Sequence, residues 1–265
     1  MKSVLTKSTG KSGFARQRGF SLVELMIAGV LGLILIAGVI QLFLGSNQNY
    51  TLQGQMSSIQ EDGRFALMFL EDQIQQASWS DDFLVVPKPV QIATSLDGDS
   101  DSVTIAYKAA VNGLDNRDCN AAVVADGNIV NRFFVLDDDL MCLGNGSPVA
   151  QPLLANVEKF QVLYGVETDG GCPDGVVNSY MDRTAVVAAN LQDFILSVRI
   201  ALLLTSEENV LPQSKVASFQ VLDQPFDSPS DRLARRLFQQ TIFLPNAVYA
   251  TVGNPQAVID CMANM

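Results

Sequence analysis

Residues 20–44 read FSLVELMIAGVLGLILIAGVIQLFL, and Glu24 is the one charged side chain among them. About 20 consecutive apolar residues are enough to cross the hydrocarbon core of a bilayer, so the stretch predicts one membrane-length helix. The 19 residues before it carry Lys2, Lys7, Lys11, Arg16 and Arg18 and no acidic residue. Such a leader stays on the cytoplasmic side and sends the remainder across. A secretory signal peptide would place a small-residue cleavage site after its apolar run. No A-x-A-like site follows Leu44, whereas Gly19 stands directly before the run. The expectation is a cut between Gly19 and Phe20 on the cytoplasmic side, with the helix retained.

Glu24 needs its own explanation. A carboxylate within a membrane span is costly and usually has a partner. Near the interface, water or headgroups can serve it. If the helix leaves lipid for a protein assembly, a cation must replace them, and the pairing would fix an axial register between helices. The small residues Ala28, Gly29, Gly32, Ala37 and Gly38 along the same run permit close helix approach.

Beyond Leu44 the sequence turns polar, with apolar residues at helical spacing: Phe65, Met68, Phe69 and Ile74, broadened by Leu70. This predicts that the helix continues, amphipathic, over 45–78, laying that face on a domain. Gly45 and Gly54 are the places where it could bend. After Trp79, runs at 103–107, 129–136, 160–166, 195–204, 216–222 and 233–244 read as strands. Val103 to Tyr107 alternates as a half-buried strand would. Turns rich in Asp, Asn and Gly separate them, as at Asp97-Gly98-Asp99 and Asp126-Gly127-Asn128. The predicted fold class is α+β, a long N-terminal helix packed on an antiparallel sheet domain over 79–265.

Composition narrows the function classes. The chain has 17 Lys and Arg against 28 Asp and Glu, a formal net charge of −11, and five of those cations lie in the leader. The remainder is therefore strongly acidic, which opposes nucleic-acid binding. Its basic cluster, Arg232, Arg235 and Arg236, is expected to pair with acidic neighbours. There is no histidine, so His-based triads and His metal sites are excluded. No catalytic constellation or cofactor is expected. Asp97, Asp99 and Asp101 alternate like the first half of a calcium loop, but the glycine and glutamate that complete an EF-hand are missing. A solvated acidic turn is the first reading there and calcium the alternative, and Asp137-Asp138-Asp139 reads as another such cluster. Cys119, Cys142, Cys172 and Cys261 can pair in an oxidising compartment, in three connectivities. The hairpin-like stretch between Cys119 and Cys142 favours that bridge, which would leave Cys172 with Cys261.

Gly19, Phe20, Glu24 and the run beginning Leu25-Met26-Ile27-Ala28 resemble the class III signal of type IV pilins and type II secretion pseudopilins. The resemblance implies cleavage after Gly19 by a prepilin peptidase and methylation of the new amine at Phe20. It also implies that the cation meeting Glu24 is the N-terminal ammonium of a neighbouring subunit. Main pilins of the family often carry a proline along this helix, and this sequence has none between 20 and 87. Asn131-Arg132-Phe133, Tyr164-Gly165-Val166, Val198-Arg199 and Arg235-Arg236-Leu237-Phe238 through Thr241 look like PilW-type minor pilins. Those proteins often end the late strand with Leu-Arg-Asn, and here Leu244-Pro245-Asn246 stands instead.

Taken together, the resemblance implies a minor pilin that helps prime a type IV pilus at its tip, with roles in adhesion and twitching motility. Its partners would be other minor pilins and a tip adhesin. Its location would be the inner membrane, single-pass with a periplasmic domain, and then the pilus. A J-type pseudopilin of type II secretion, or a membrane-anchored ligand-binding or DNA-uptake module, are the alternatives.

Overall fold

The computed structural model describes residues 19–80, 90, 98–109, 116–168 and 175–247. The leader before Gly19, Asp97, Cys172 and Cys261 lie outside the described residues. One α-helix, α1 (Leu22–Gln75), runs through Gly45 and Gly54 without interruption. Its part up to Asn49 belongs to one compact unit, and Tyr50 opens a second that holds every strand.

In the first unit the helix buries none of its large apolar side chains among the described residues. From Leu22 to Leu44 its large apolar side chains are all exposed, and its most apolar window has mean hydropathy 2.6 with none of it buried. Only lipid or other protein could take that surface from water.

In the second unit, α1 buries Ile59, Gly63, Ala66, Leu70 and Ile74. These recur three or four residues apart, one stripe of the helix. The predicted stripe is therefore displaced around the axis. Ile74 and Leu70 are core residues, but Phe65 is 50% and Met68 65% exposed. The displacement has a steric cause. A Cβ built on Gly63 would run into the ring of Phe238, inside van der Waals contact with three of its carbons. The helix presents its small residues because an aromatic ring from the sheet lies against it, so size rather than hydropathy decides which face goes in. Phe69 stays partly buried, edge-on to Phe133 with ring centroids 6.2 Å apart. Helix propensity alone would make Gly63→Ala stabilising by about 1 kcal/mol. The expected result is a loss of about 1–3 kcal/mol from overpacking, read by urea unfolding, and a gain in stability would refute this contact.

The strands form two four-stranded antiparallel sheets and a hairpin. The first sheet has the order β1 (Ser102–Lys108), β2 (Asn128–Leu136), β3 (Asp139–Gly144), β4 (Gln151–Leu154). The second has the order β10 (Arg235–Phe243), β7 (Ile195–Thr205), β5 (Val157–Val166), β6 (Ser179–Met181). Strands β8 (Ser218–Val221) and β9 (Gln224–Asp227) pair with each other. A short helix, α2 (Arg183–Ala188), begins at Asp182, whose side chain accepts from the backbone N–H of Ala185. The register sets Phe160 opposite Leu202 and Leu202 opposite Phe238. Side chains alternate along strands, so this row faces α1 and joins Ile59, Ala66 and Leu70 in one core.

Five of the six predicted strand runs correspond closely to β1, β2, β5, β7 and β10, and the run at 216–222 contains the shorter β8. One reading changes, and one acidic turn takes a definite form. Strand β1 is not half-buried: Ser102, Thr104 and Ala106 are as enclosed as Val103 and Ile105. Its outer edge is occupied, because Ser78 N–H donates to Ala106 O, Lys108 N–H donates to Trp79 O, and Val90 bridges Ile105. The acidic Asp137-Asp138 pair is a two-residue hairpin turn between β2 and β3. Both residues take positive φ, 54° and 62°, as the mirror-image turn that suits strand twist requires. Aspartate tolerates that left-handed backbone better than most residues.

Candidate processing and assembly site

The site begins where α1 begins. Phe20 is 82% exposed, and Leu25 N–H donates to Ser21 O at 3.1 Å, closing the first helical turn. Glu24 lies in that turn, where the positive end of the helix dipole favours a carboxylate. Apolar residues surround it on the helix, and among the described residues no cation pairs with it. Gly29, Gly32 and Gly38 have open space where a Cβ would stand, so a neighbouring helix could approach their backbone closely. The arrangement is a carboxylate without a cation among the described residues, at the head of an apolar helix that begins just after a Gly–Phe bond.

The other predicted positions separate. Cys119 and Cys142 form a disulfide, tying the loop before β2 to β3. That loop is organised by Asp118, whose carboxylate accepts from the N–H of Asn120, Ala122 and Gly146 at 2.8–2.9 Å. Beside it, fully buried Asn131 donates to Gln73 on α1 and accepts from Cys119 N–H. The sequence marked Asn131 only within the Asn131-Arg132-Phe133 resemblance and did not mark Asp118, since their farthest partners, Gln73 and Gly146, lie 58 and 28 residues away.

Asp99 and Asp101 are engaged by protein groups. Asp99 pairs with Lys159 at 2.5 Å. Asp101 is buried, and its two oxygens accept from Gly98 N–H at 3.0 Å and Val162 N–H at 2.8 Å, strapping the loop onto β5. Among the described residues, no group of three or more acidic or thiol side chains is gathered in the manner of a metal site.

Of the basic cluster, Arg235 is paired as expected. It is 3% exposed and binds Glu158 through Nε (2.6 Å) and Nη2 (3.0 Å), and Asp231 through Nη1 (2.7 Å) and Nη2 (2.6 Å). The Asp231 hydrogen bonds, followed by those to Glu158, raise the Arg235 pKa above its already high usual value. The same hydrogen bond from Arg235 holds the Asp231 carboxyl below the ordinary carboxylate range. Glu158 is the extra residue of a β-bulge, where β5 slips register against β7 between Val157 and Lys159. The clamp therefore spans β7, from β5 to β10. Arg232 donates to Leu211 O, and Arg236 lies over the Phe238 ring.

Residues 14–40 match the family model described as the prokaryotic N-terminal methylation motif. Residues 126–246 match that of Type IV Pilus-assembly protein W. Over these two stretches the chain is similar to type IV pilin-like proteins that carry a class III signal. The second match contains β2 through β10, including every stretch in which the sequence resembles PilW-type minor pilins. Among solved structures the chain is similar to a type IV-like pilin from Thermus thermophilus, at 12% identity and a TM-score of 0.44, over 71% of this chain and 97% of that one. No curated protein matches the sequence. Proteins of the pilin type are structural, and the N-terminal methylation motif implies processing by a prepilin peptidase.

Proposed function

We propose that this minor pilin is held in the inner membrane by α1, cut after Gly19, methylated at the amine of Phe20, and carried into a type IV pilus at or near its tip. There it helps prime assembly, and the pilus in turn serves adhesion and twitching motility. The observation that carries the reading is the wholly uncovered apolar helix Leu22–Leu44 with Glu24 alone at its head. A helix of this kind serves first as a membrane anchor and then as a filament strand, without changing its fold.

Within this reading, residues 1–19 are the leader, 20–44 the span and assembly helix, 45–78 its amphipathic continuation, and 79–265 the periplasmic domain. Other minor pilins and a tip adhesin are the partners. The match to a pilus-assembly model favours a pilus over a type II secretion system. The acidic balance outside the leader speaks against DNA as a direct ligand.

The test is to purify the membrane-bound or assembled protein and determine its N-terminus by mass spectrometry. N-methyl-phenylalanine at Phe20 is expected. An intact Met1 in cells with a working peptidase would overturn the proposal.

A further inference from the structure

Arg132 stands in the middle of β2, opposite Thr104 of β1 and Leu143 of β3. It is half-buried, its Nε is closed to solvent, and among the described residues no acceptor meets that nitrogen. Its neighbour is the Phe134 ring, 5.1 Å from the guanidinium carbon. Arg235, in contrast, holds two carboxylates. In a chain with 28 acidic residues, a partly buried guanidinium that pairs with no carboxylate among the described residues stands out, because a buried donor lacking an acceptor is unfavourable.

Arg132 lines a hollow of about 520 Å³ walled by Val130, Leu143 and Pro148, with Asn145 and Ser147 on its rim. The rim is a built structure. Asn145 donates through Nδ2 to Asn128 O at 2.7 Å and accepts from Val130 N–H at 3.0 Å, so its amide is committed. Asp118 holds the loop from beneath through Gly146 N–H at 2.8 Å. Its carboxylate packs so closely on Gly144 that a Cβ there would overlap it. Asp118 also accepts from Asn120 and Ala122, so it is fully engaged within the protein.

We propose that this hollow binds a small organic carboxylate, held by the Arg132 guanidinium with its carbon body against Val130, Leu143 and Pro148. The planar fork of arginine matches a carboxylate in two parallel hydrogen bonds. No lysine lines the hollow, which favours a planar monoanion over a phosphate. Its size suits one small ligand, with mostly apolar walls and few polar groups. The site is separate from the Gly19–Glu24 region and does not depend on the filament reading.

The test is calorimetric titration of the full chain in detergent with four probes: glucuronate, glucose, N-acetylglycine and N-acetylglycinamide. At least one acid is expected to bind saturably and about tenfold or more tighter than its neutral counterpart. R132Q should abolish that preference, R132K should fall between because it keeps charge without the fork, and R236Q on the other sheet should leave it intact. Preference for glucuronate alone assigns a sugar acid, and preference for N-acetylglycine alone assigns a peptide carboxylate. Should R132Q fail to fold, the drop in R132K carries the result. The proposal is overturned if neither acid outbinds its neutral counterpart, or if a folded R132Q or R132K binds as the parent does.

Discussion

Arg235→Ala is expected to lower the unfolding free energy by about 3 kcal/mol, measured by urea denaturation of the full chain in detergent. The cost arises because Glu158 and Asp231 remain in place, 16% and 24% exposed, with no cation to serve them. The low end of the usual range is appropriate because water still reaches both carboxylates. Arg235→Lys should recover only part, since one ammonium cannot reproduce two bidentate contacts. A triple change of Arg235, Glu158 and Asp231 to apolar residues should cost less than the single change, because no charge is then stranded. If the single and triple variants lose the same stability, the clamp is not the cause.

The clamp also has a pH signature. The folded Asp231 carboxyl titrates below its unfolded value of about 3.9. Its contribution is present above that value and is lost as pH falls through the lower folded one. The stability gap between parent and Arg235→Ala should therefore narrow in strong acid.

Glu24→Ala is expected to be cut after Gly19 normally yet to be about a hundredfold scarcer in sheared filaments than the parent. Under the proposed assembly, the variant leaves a neighbouring subunit's ammonium unpaired in an apolar core, a penalty of about 3 kcal/mol. Folding should hardly change, because Glu24 is an exposed residue of the first compact unit, apart from the core built by the strands. Immunoblots of the membrane and sheared fractions separate the two effects. Normal incorporation of a cleaved Glu24→Ala chain would remove the pairing role. Loss of cleavage itself would place Glu24 in peptidase recognition instead.

The first of these effects was only half legible in the sequence and the second almost wholly so. The N-terminal signal is linear: Gly19, Phe20 and Glu24 are near neighbours in the chain, between the basic leader and the apolar run. The apolar span is equally plain, since hydropathy over two dozen residues needs no partner to be read. The strands β1, β2, β5, β7 and β10 announced themselves through runs of β-branched and aromatic residues. Strand β3 did not, because it begins at the last of three aspartates and its turn uses Asp-Asp where a glycine would be the usual signal. The inner face of α1 was misjudged because Gly63 and Ala66 carry no hydropathy signal. Their value is in the space they leave for Phe238. Arg235 was recognisable as a cation seeking acids, but Glu158 lies 77 residues away and reaches it through a bulge. Arg132 was visible only within the Asn131-Arg132-Phe133 resemblance, since what distinguishes it, an Nε without an acceptor among the described residues, is not written in the sequence.

Asn246 closes the lower end of α1. Its Nδ2 donates to Gln75 O and Ala77 O, both at 3.1 Å. These are carbonyls of the kind a helix end leaves without internal partners. The element that opens the chain is thus finished by one of the last described residues, about 170 positions later. Under the proposed export, the helix can wind as soon as it is made, but its terminal hydrogen bonds must wait until residue 246 has crossed the membrane. Contacts of such long sequence separation form late. The subunit therefore carries its own completion check: a chain truncated before Asn246 would present an intact anchor and signal on an open-ended helix.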